Sequence, residues 1–221
     1  MTRAGDGVLP AAVLWDMDGT LVDTEPYWIA VEHELVAEHG DGSWTDAKGH
    51  LLVGHDLRDS ARLMQQHGAV TLDVDAIVEY LLDGVIQRVR VEIPWRPGAR
   101  ELLAELAAAE VPCVLVTMSW RRFVDAVLPA LPPGSFRTAV TGDEVANGKP
   151  HPEPYLLAAS LVGARPDACI AIEDSPTGVR SAVAAGCRTI AVPNVVDLPP
   201  DPAYRLVRSL TELTAHTLWT T

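Results

Sequence analysis

The chain has 221 residues, 48% of them hydrophobic and 21% charged, with 30 acidic against 17 basic side chains and a formal net charge of −13. That ordinary globular balance argues against disorder, and the acidic excess argues against a general binder of nucleic acid or of a membrane surface, which is more often basic. No apolar stretch approaches the ~20 residues that span a bilayer, and the start of the chain, with Arg3, Asp6 and a short apolar run stopping at Asp16, is too short and too acidic for a secretory signal. A protein this acidic that handles an anion needs local positive charge, from a metal ion or from placed Lys and Arg.

The first predicted element is a buried strand, AAVLW, at 11–15. The next stretch, roughly 24–94, shows helical periods and no convincing strand. PYWIAVEHELVAEHG (26–40) has Pro in its first turn and Gly40 at its end, and DLRDSARLMQQHG (56–68) ends on glycine. DVDAIVEYLLDGVIQRVRVE (73–92) repeats apolar residues at helical spacing from Val74 to Val89. Three or four helices inserted after the first strand are expected to form a helical-bundle cap, residues 24–94, over a core of residues 1–23 and 95–221. From there strand and helix alternate. Helices are expected at 97–110, 120–131, 152–163 and 176–186, and strands at 112–117, 136–140, 168–173 and 187–192, before a Pro-rich loop at 193–202. The expected fold is α/β, a Rossmann-like parallel sheet with helices on both faces. Cys113, Cys169 and Cys187 fall in the apolar strand segments and read as small buried hydrophobes in a reduced compartment. A cytoplasmic monomer follows as the default expectation.

Ligands of parallel sheets sit beyond the carboxyl ends of the strands. Collecting polar residues there gives Asp16 and Asp18, Thr117 and Ser119, and Glu173, Asp174 and Ser175, with Lys149 added by the loop NGKPHPEP (147–154). Uncompensated carboxylates crowded together repel one another and lose hydration. Carboxylates with few histidines and no thiolate suit a hard, oxygen-loving dication such as Mg²⁺, and a lysine and hydroxyls beside it suit phosphate oxygens. Phosphoryl transfer needs charge neutralisation and an in-line nucleophile, and a carboxylate can be that nucleophile.

At these residues the sequence resembles a known family. DMDGT (16–20), the strand ending in Thr117, GKP (148–150) and IEDSPTGV (172–179) are similar to the four motifs of the haloacid dehalogenase-like hydrolases, in order and over nearly the whole chain. The helical insertion resembles the cap of the subfamily with phosphoglycolate phosphatase, sugar-phosphate phosphatases and β-phosphoglucomutase. The resemblance implies that Asp16 is the nucleophile and a Mg²⁺ ligand. It implies that Asp18 is the general acid and base, with its backbone carbonyl on the metal. Thr117 and Lys149 hold phosphate, helped by the Met17 and Met118 amides, and Asp174 is the second carboxylate ligand, with Glu173 acting directly or through water. Because Asp18 is present, the resemblance implies phosphate chemistry rather than metal-free dehalogenation. The implied partner is a small phosphorylated metabolite, with no nucleic acid and no membrane. An Asp acting as a general acid at neutral pH needs water excluded around it, and the inserted helices are placed to do that.

Glu25, Trp28, His55 and Arg58 are the candidates for substrate contact from the cap. A β-phosphoglucomutase-like phosphomutase is the first competing function. Its cap arginine has Leu57 at the matching position, with Arg58 one place later, and its first cap histidine has no counterpart in DTEPYW (23–28). A phospho-acceptor signalling domain is the second, but such domains normally lack a helical insertion and an Asp two residues after the acceptor. Two apparent motifs fail. GDEVANGK (142–149) has one residue too many between its glycines for a P-loop, and HELVAEH (33–39) has the wrong histidine spacing for a zinc helix.

Overall fold

The computed structural model describes residues 9–53 and 55–219; the first eight positions, with Arg3 and Asp6 of the stretch too acidic for a secretory signal, lie outside the described residues. In chain order come β1 (Ala12–Trp15), α1 (Glu25–His39), α2 (Asp46–Gly49), α3 (Leu57–Gly68), α4 (Val74–Val91), α5 (Ala99–Ala108), β2 (Cys113–Val116), α6 (Arg121–Val127), β3 (Thr138–Val140), α7 (Glu153–Leu161), β4 (Cys169–Glu173), α8 (Pro176–Ala184), β5 (Arg188–Ala191) and β6 (Tyr204–Leu206). The six strands form one sheet, ordered β3-β2-β1-β4-β5-β6, and every pairing is parallel. None of the described helices is long and apolar enough to cross a membrane.

Both faces of the sheet are covered, which is why its strands read as continuous apolar runs. Val13, Trp15, Leu115, Ile170 and Ile172 point to the layer built by α5, α6 and the inserted helices. Ala12, Leu14, Val114, Val116 and Ala171 point the other way, onto Tyr155, Ala158 and Ala159 of α7 and Ala182 of α8. All three cysteines are buried and free, as small apolar fillers.

The order of the strands fixes where a ligand can sit. From β1 the chain moves outward through β2 to β3, then crosses back to the other side of β1 for β4, β5 and β6. β1 and β4 therefore flank the point where the winding reverses, and the loops leaving their carboxyl ends diverge to leave a crevice. Asp16 and Asp174 are the first residues after those two strands.

Helix ends are set by local chemistry. Asp56 caps α3 by accepting from Arg58 N–H, Asp73 caps α4 from Ala76 N–H, and Ser175 caps α8 from Gly178 N–H. Two crossing segments join the inserted helices to the sheet, held by a Val22–Trp95 bridge and by Asp23 N–H donating to Pro94 O at 2.6 Å. The insertion lies against α6. Arg122 pairs with Glu79 and Asp83 of α4, and the Trp28 ring meets Phe123 edge-on at 5.5 Å.

Two elements depart from the expectation. β6 is a sixth strand of three residues that follows the predicted Pro-rich loop; half-exposed on the sheet edge and containing Arg205, it has no apolar run to mark it. α2 is a single turn capped by Thr45, too short for a hydrophobic period to form.

Candidate active site

Three loops and one lysine build the site. After β1 the chain turns tightly, with Leu21 and Val22 N–H groups both donating to Met17 O, and Gly19 sits in the left-handed region at φ +85°. A Cβ on Gly19 would lie 2.1 Å from Asp174 Oδ2, so the turn can approach the β4 loop only without a side chain.

Lys149 Nζ is buried and donates three hydrogen bonds: to Asp16 Oδ1 at 2.7 Å, to Glu173 Oε1 at 2.6 Å and to Val116 O at 2.9 Å. Burial alone would strip its charge, but Asp16 and Glu173 hold the ammonium above the usual lysine range. Glu173 is fully committed in turn. Its Oε1 also accepts from Tyr155 OH at 2.7 Å, and its Oε2 accepts from Asp174 N–H and from Ser175 Oγ. A Cβ on Gly178 would fall 1.9 Å from Glu173 Oε1. Gly178→Ala is therefore expected to cost about 3 kcal/mol by displacing this carboxylate, a fall in Tm of roughly 6–12 °C at this chain length. A thermal melt within 2 °C of wild type would count against Glu173 as the anchor of Lys149.

Asp16 and Asp174 are compensated only in part, Asp174 by the Thr20 hydroxyl donating to its Oδ1 at 3.3 Å. Asp16 Oδ2 is buried with no hydrogen-bond partner. Burial and then Glu173 push the Asp16 carboxyl up to about 7 despite Lys149, and burial followed by Asp16 and Glu173 raises Asp174 well above the carboxylate range. Asp16, Glu173 and Asp174 each offer an oxygen within 4.8 Å of the others. An all-oxygen donor set with an orphaned buried oxygen and too little positive charge fits a hard dication such as Mg²⁺.

Asp18 faces the other way. Its Oδ1 accepts from Thr24 Oγ1 at 2.5 Å and Trp28 Nε1 at 3.4 Å, and its Oδ2 from Thr117 Oγ1 at 3.1 Å and Ser119 Oγ at 2.8 Å. Four donors from both the sheet loops and α1 thus fix one carboxylate at the mouth of the crevice.

Asp16, Asp18, Thr117, Met118, Lys149 and Asp174 line one side of a cavity of about 90 Å³, and the inserted helices line the other. Over residues 13–192 the chain matches the haloacid dehalogenase-like hydrolases. The chain belongs to that family. Hexitol phosphatase A of Escherichia coli (strain K12) is 34% identical over 207 residues, 84% of each chain. Phosphoglycolate phosphatase of Shigella boydii serotype 4 (strain Sb227) is 29% identical over 226 residues, 90% of each. A crystal structure of mutant CbbY from Rhodobacter sphaeroides in complex with xylulose-(1,5)bisphosphate superposes with a TM-score of 0.80 at 26% identity, covering 93% of this chain and 96% of that one.

This hydrolase distributes the expected contact residues unevenly. Glu25, Trp28 and His55 line the cavity. Arg58 does not. Its guanidinium stacks 4.7 Å from the centroid of Trp120 and pairs with Asp75 at 3.3 Å, and it is not among the residues that line the cavity. Burial, with Glu32, Asp18 and Asp23 nearby, pushes Glu25 up to about 8. Reasoning from sequence missed Glu32, buried in α1 and lining the same cavity. Its signal was spacing: with Glu25 and Trp28 it stands at i, i+3 and i+7 on one helix face. It also missed Tyr155, whose hydroxyl is visible only once α7 packs under β4.

Proposed function

We propose that this hydrolase is a Mg²⁺-dependent phosphatase that cleaves small phosphomonoesters of the sugar-phosphate kind through an aspartyl-phosphate on Asp16. The observation that carries the reading is Asp16 itself: one oxygen tied to Lys149, the other buried and unpartnered, at the reversal point of the sheet. The names of relatives that match over most of the chain support phosphate esters as the substrates.

Asp16, Asp174 and the Asp18 carbonyl would hold the ion, with Glu173 behind them because both its oxygens are already bonded. When bound, Mg²⁺ neutralises charge on the transferring phosphoryl group. Lys149 shares that work through its charge, held beside the Asp16 carboxylate. Thr117 Oγ1 and the Met118 N–H, which donates to no described residue, hold further oxygens. An Asp16 oxygen attacks phosphorus, the phosphorus–oxygen bond to the alcohol breaks, and Asp18 delivers its proton to the leaving oxygen. Water then attacks phosphorus, Asp18 takes its proton, and the bond to Asp16 breaks to release inorganic phosphate. The helices of residues 24–94 act as the cap that excludes bulk water during both steps.

Hydrolysis is favoured over the mutase alternative by one feature. A mutase must hold a bisphosphate intermediate in two orientations, which is served by a permanent cation, lysine or arginine, on the cap side. Among the described residues, Lys149 is the only lysine or arginine in the cavity lining.

A phosphate-release screen over phosphometabolites, with Mg²⁺ and with EDTA, tests this. Release that needs the dication is expected, and Asp174→Asn is expected to weaken Mg²⁺ activation by about tenfold or more, since one of few carboxylate ligands is gone. Full turnover in EDTA would overturn the reading.

A further inference from the structure

We propose that Glu32 selects the tail of the substrate: its carboxyl group hydrogen-bonds the hydroxyls of an uncharged polyol, in a lining that offers tails bearing a carboxylate or a second phosphate no arginine to pair with. This rests on the phosphatase reading above.

Glu32 is 4% exposed yet lies in α1, where a helix facing only apolar neighbours would not keep an acid. Among the described residues, no lysine or arginine pairs with it. Its only hydrogen bond from a described residue is Trp44 Nε1 to Oε2 at 2.9 Å, which leaves Oε1 for another donor. A glycine makes room for its carboxylate against α2. A Cβ on Gly49, which also lines the cavity, would lie 2.7 Å from Oε2. Burial pushes Glu32 up to about 7 against the pull of Trp44, so near neutrality it can accept from or donate to a hydroxyl.

The cations that could have read an anionic tail are spent elsewhere. Arg58 pairs with Asp75, Arg62 with Asp59 and Arg88 with Glu34, while Lys48 Nζ donates to Ser43 and to His67 O. None of them lines the cavity. Apart from Lys149 at the phosphoryl end and the His55 imidazole, the lining offers an anionic tail no basic side chain, so such a tail would give up its water with little in return. Hydroxyls would meet acceptors, with the buried Ser60 hydroxyl in the same lining. A site that hydrogen-bonds a hydroxyl rejects the analogue lacking it, because its own polar group is then left unpaired.

The experiment compares kcat/KM, in saturating Mg²⁺, for sorbitol 6-phosphate, phosphoglycolate, fructose 1,6-bisphosphate and ethyl phosphate. Wild type is expected to favour the hexitol ester over each of the others by about tenfold or more. Glu32→Gln, which keeps the size and the Trp44 bond, is expected to shrink the sorbitol-to-ethyl and sorbitol-to-phosphoglycolate ratios at least about fivefold, mainly through KM. Trp44→Phe removes the donor that orients Glu32 and should shift both ratios the same way, by less. Failure of wild type to hydrolyse any of the four esters overturns the phosphatase reading. Hydrolysis with a preference for anionic tails, or with ratios unchanged in both variants, overturns the role of Glu32 and leaves the phosphatase reading standing.

Discussion

Asp16→Asn is expected to lower kcat by at least about 10⁴-fold, since a nucleophile that acts within one catalytic unit cannot be replaced by its neighbours. An amide has no charge to attack phosphorus, yet its Oδ1 can still accept from Lys149 and its volume is unchanged. The fold should therefore survive, and its stability should show where the lost charge sat. In metal-free wild type the Asp16 carboxyl is raised from 3.8 to about 7 by burial and then by Glu173. A carboxyl raised on folding binds its proton more tightly in the native state. It therefore lowers stability as pH climbs from its unfolded value through about 7, and the loss is complete above that. Without that group, the metal-free variant should lose less stability than wild type between pH 4 and pH 8. Mg²⁺ should raise the melting temperature of wild type at pH 8 much more than that of the variant. Phosphate release and melting curves with Mg²⁺ or EDTA check all of this. Activity within tenfold of wild type would remove Asp16 from the role of nucleophile.

The core was readable because its strands are buried on both faces and its helices carry their own stop signals. The predicted strand at 112–117 and the helix at 73–92 differ from β2 and α4 by only one residue at each end. The strand-end residues followed from topology: once β1 and β4 flank the reversal of the sheet, Asp16 and Asp174 must meet. What failed was whatever depends on packing between distant segments. β6 is held by register with β5 rather than by its own residues. Arg58, a candidate contact from the cap, is held by Asp75 and Trp120, partners that no local pattern announces. Glu32 looked like one more acid on an amphipathic helix until Trp44 and Gly49 folded onto it.

Lys149→Met should produce the largest loss of stability of any change at the site, because it deletes the single cation among buried carboxylates. Glu173 is 0% exposed and, with Lys149 gone, would keep bonds to Tyr155, Ser175 and the Asp174 amide but lose its counter-charge. Asp16 would lose its only side-chain hydrogen-bond donor among the described residues. Removing one partner of a buried ion pair typically costs about 3–5 kcal/mol, which for a chain of this size is a fall in Tm of roughly 6–20 °C. The pH dependence gives the cause away. Without the ammonium, the Asp16 and Asp174 carboxyls, which Lys149 pulls down, are raised further. The damage should then be greatest at pH 8 and should shrink toward pH 5, where protons replace the missing charge. Pairing Lys149→Met with Glu173→Gln tests the same point from the other side. Glutamine can still accept from Tyr155 OH and carries no charge to strand, so the double variant should melt above the single one while remaining inactive. Equal instability of the two at pH 8 would mean that the methionine harms packing rather than charge balance, and that the lysine does not hold the acids of this site together.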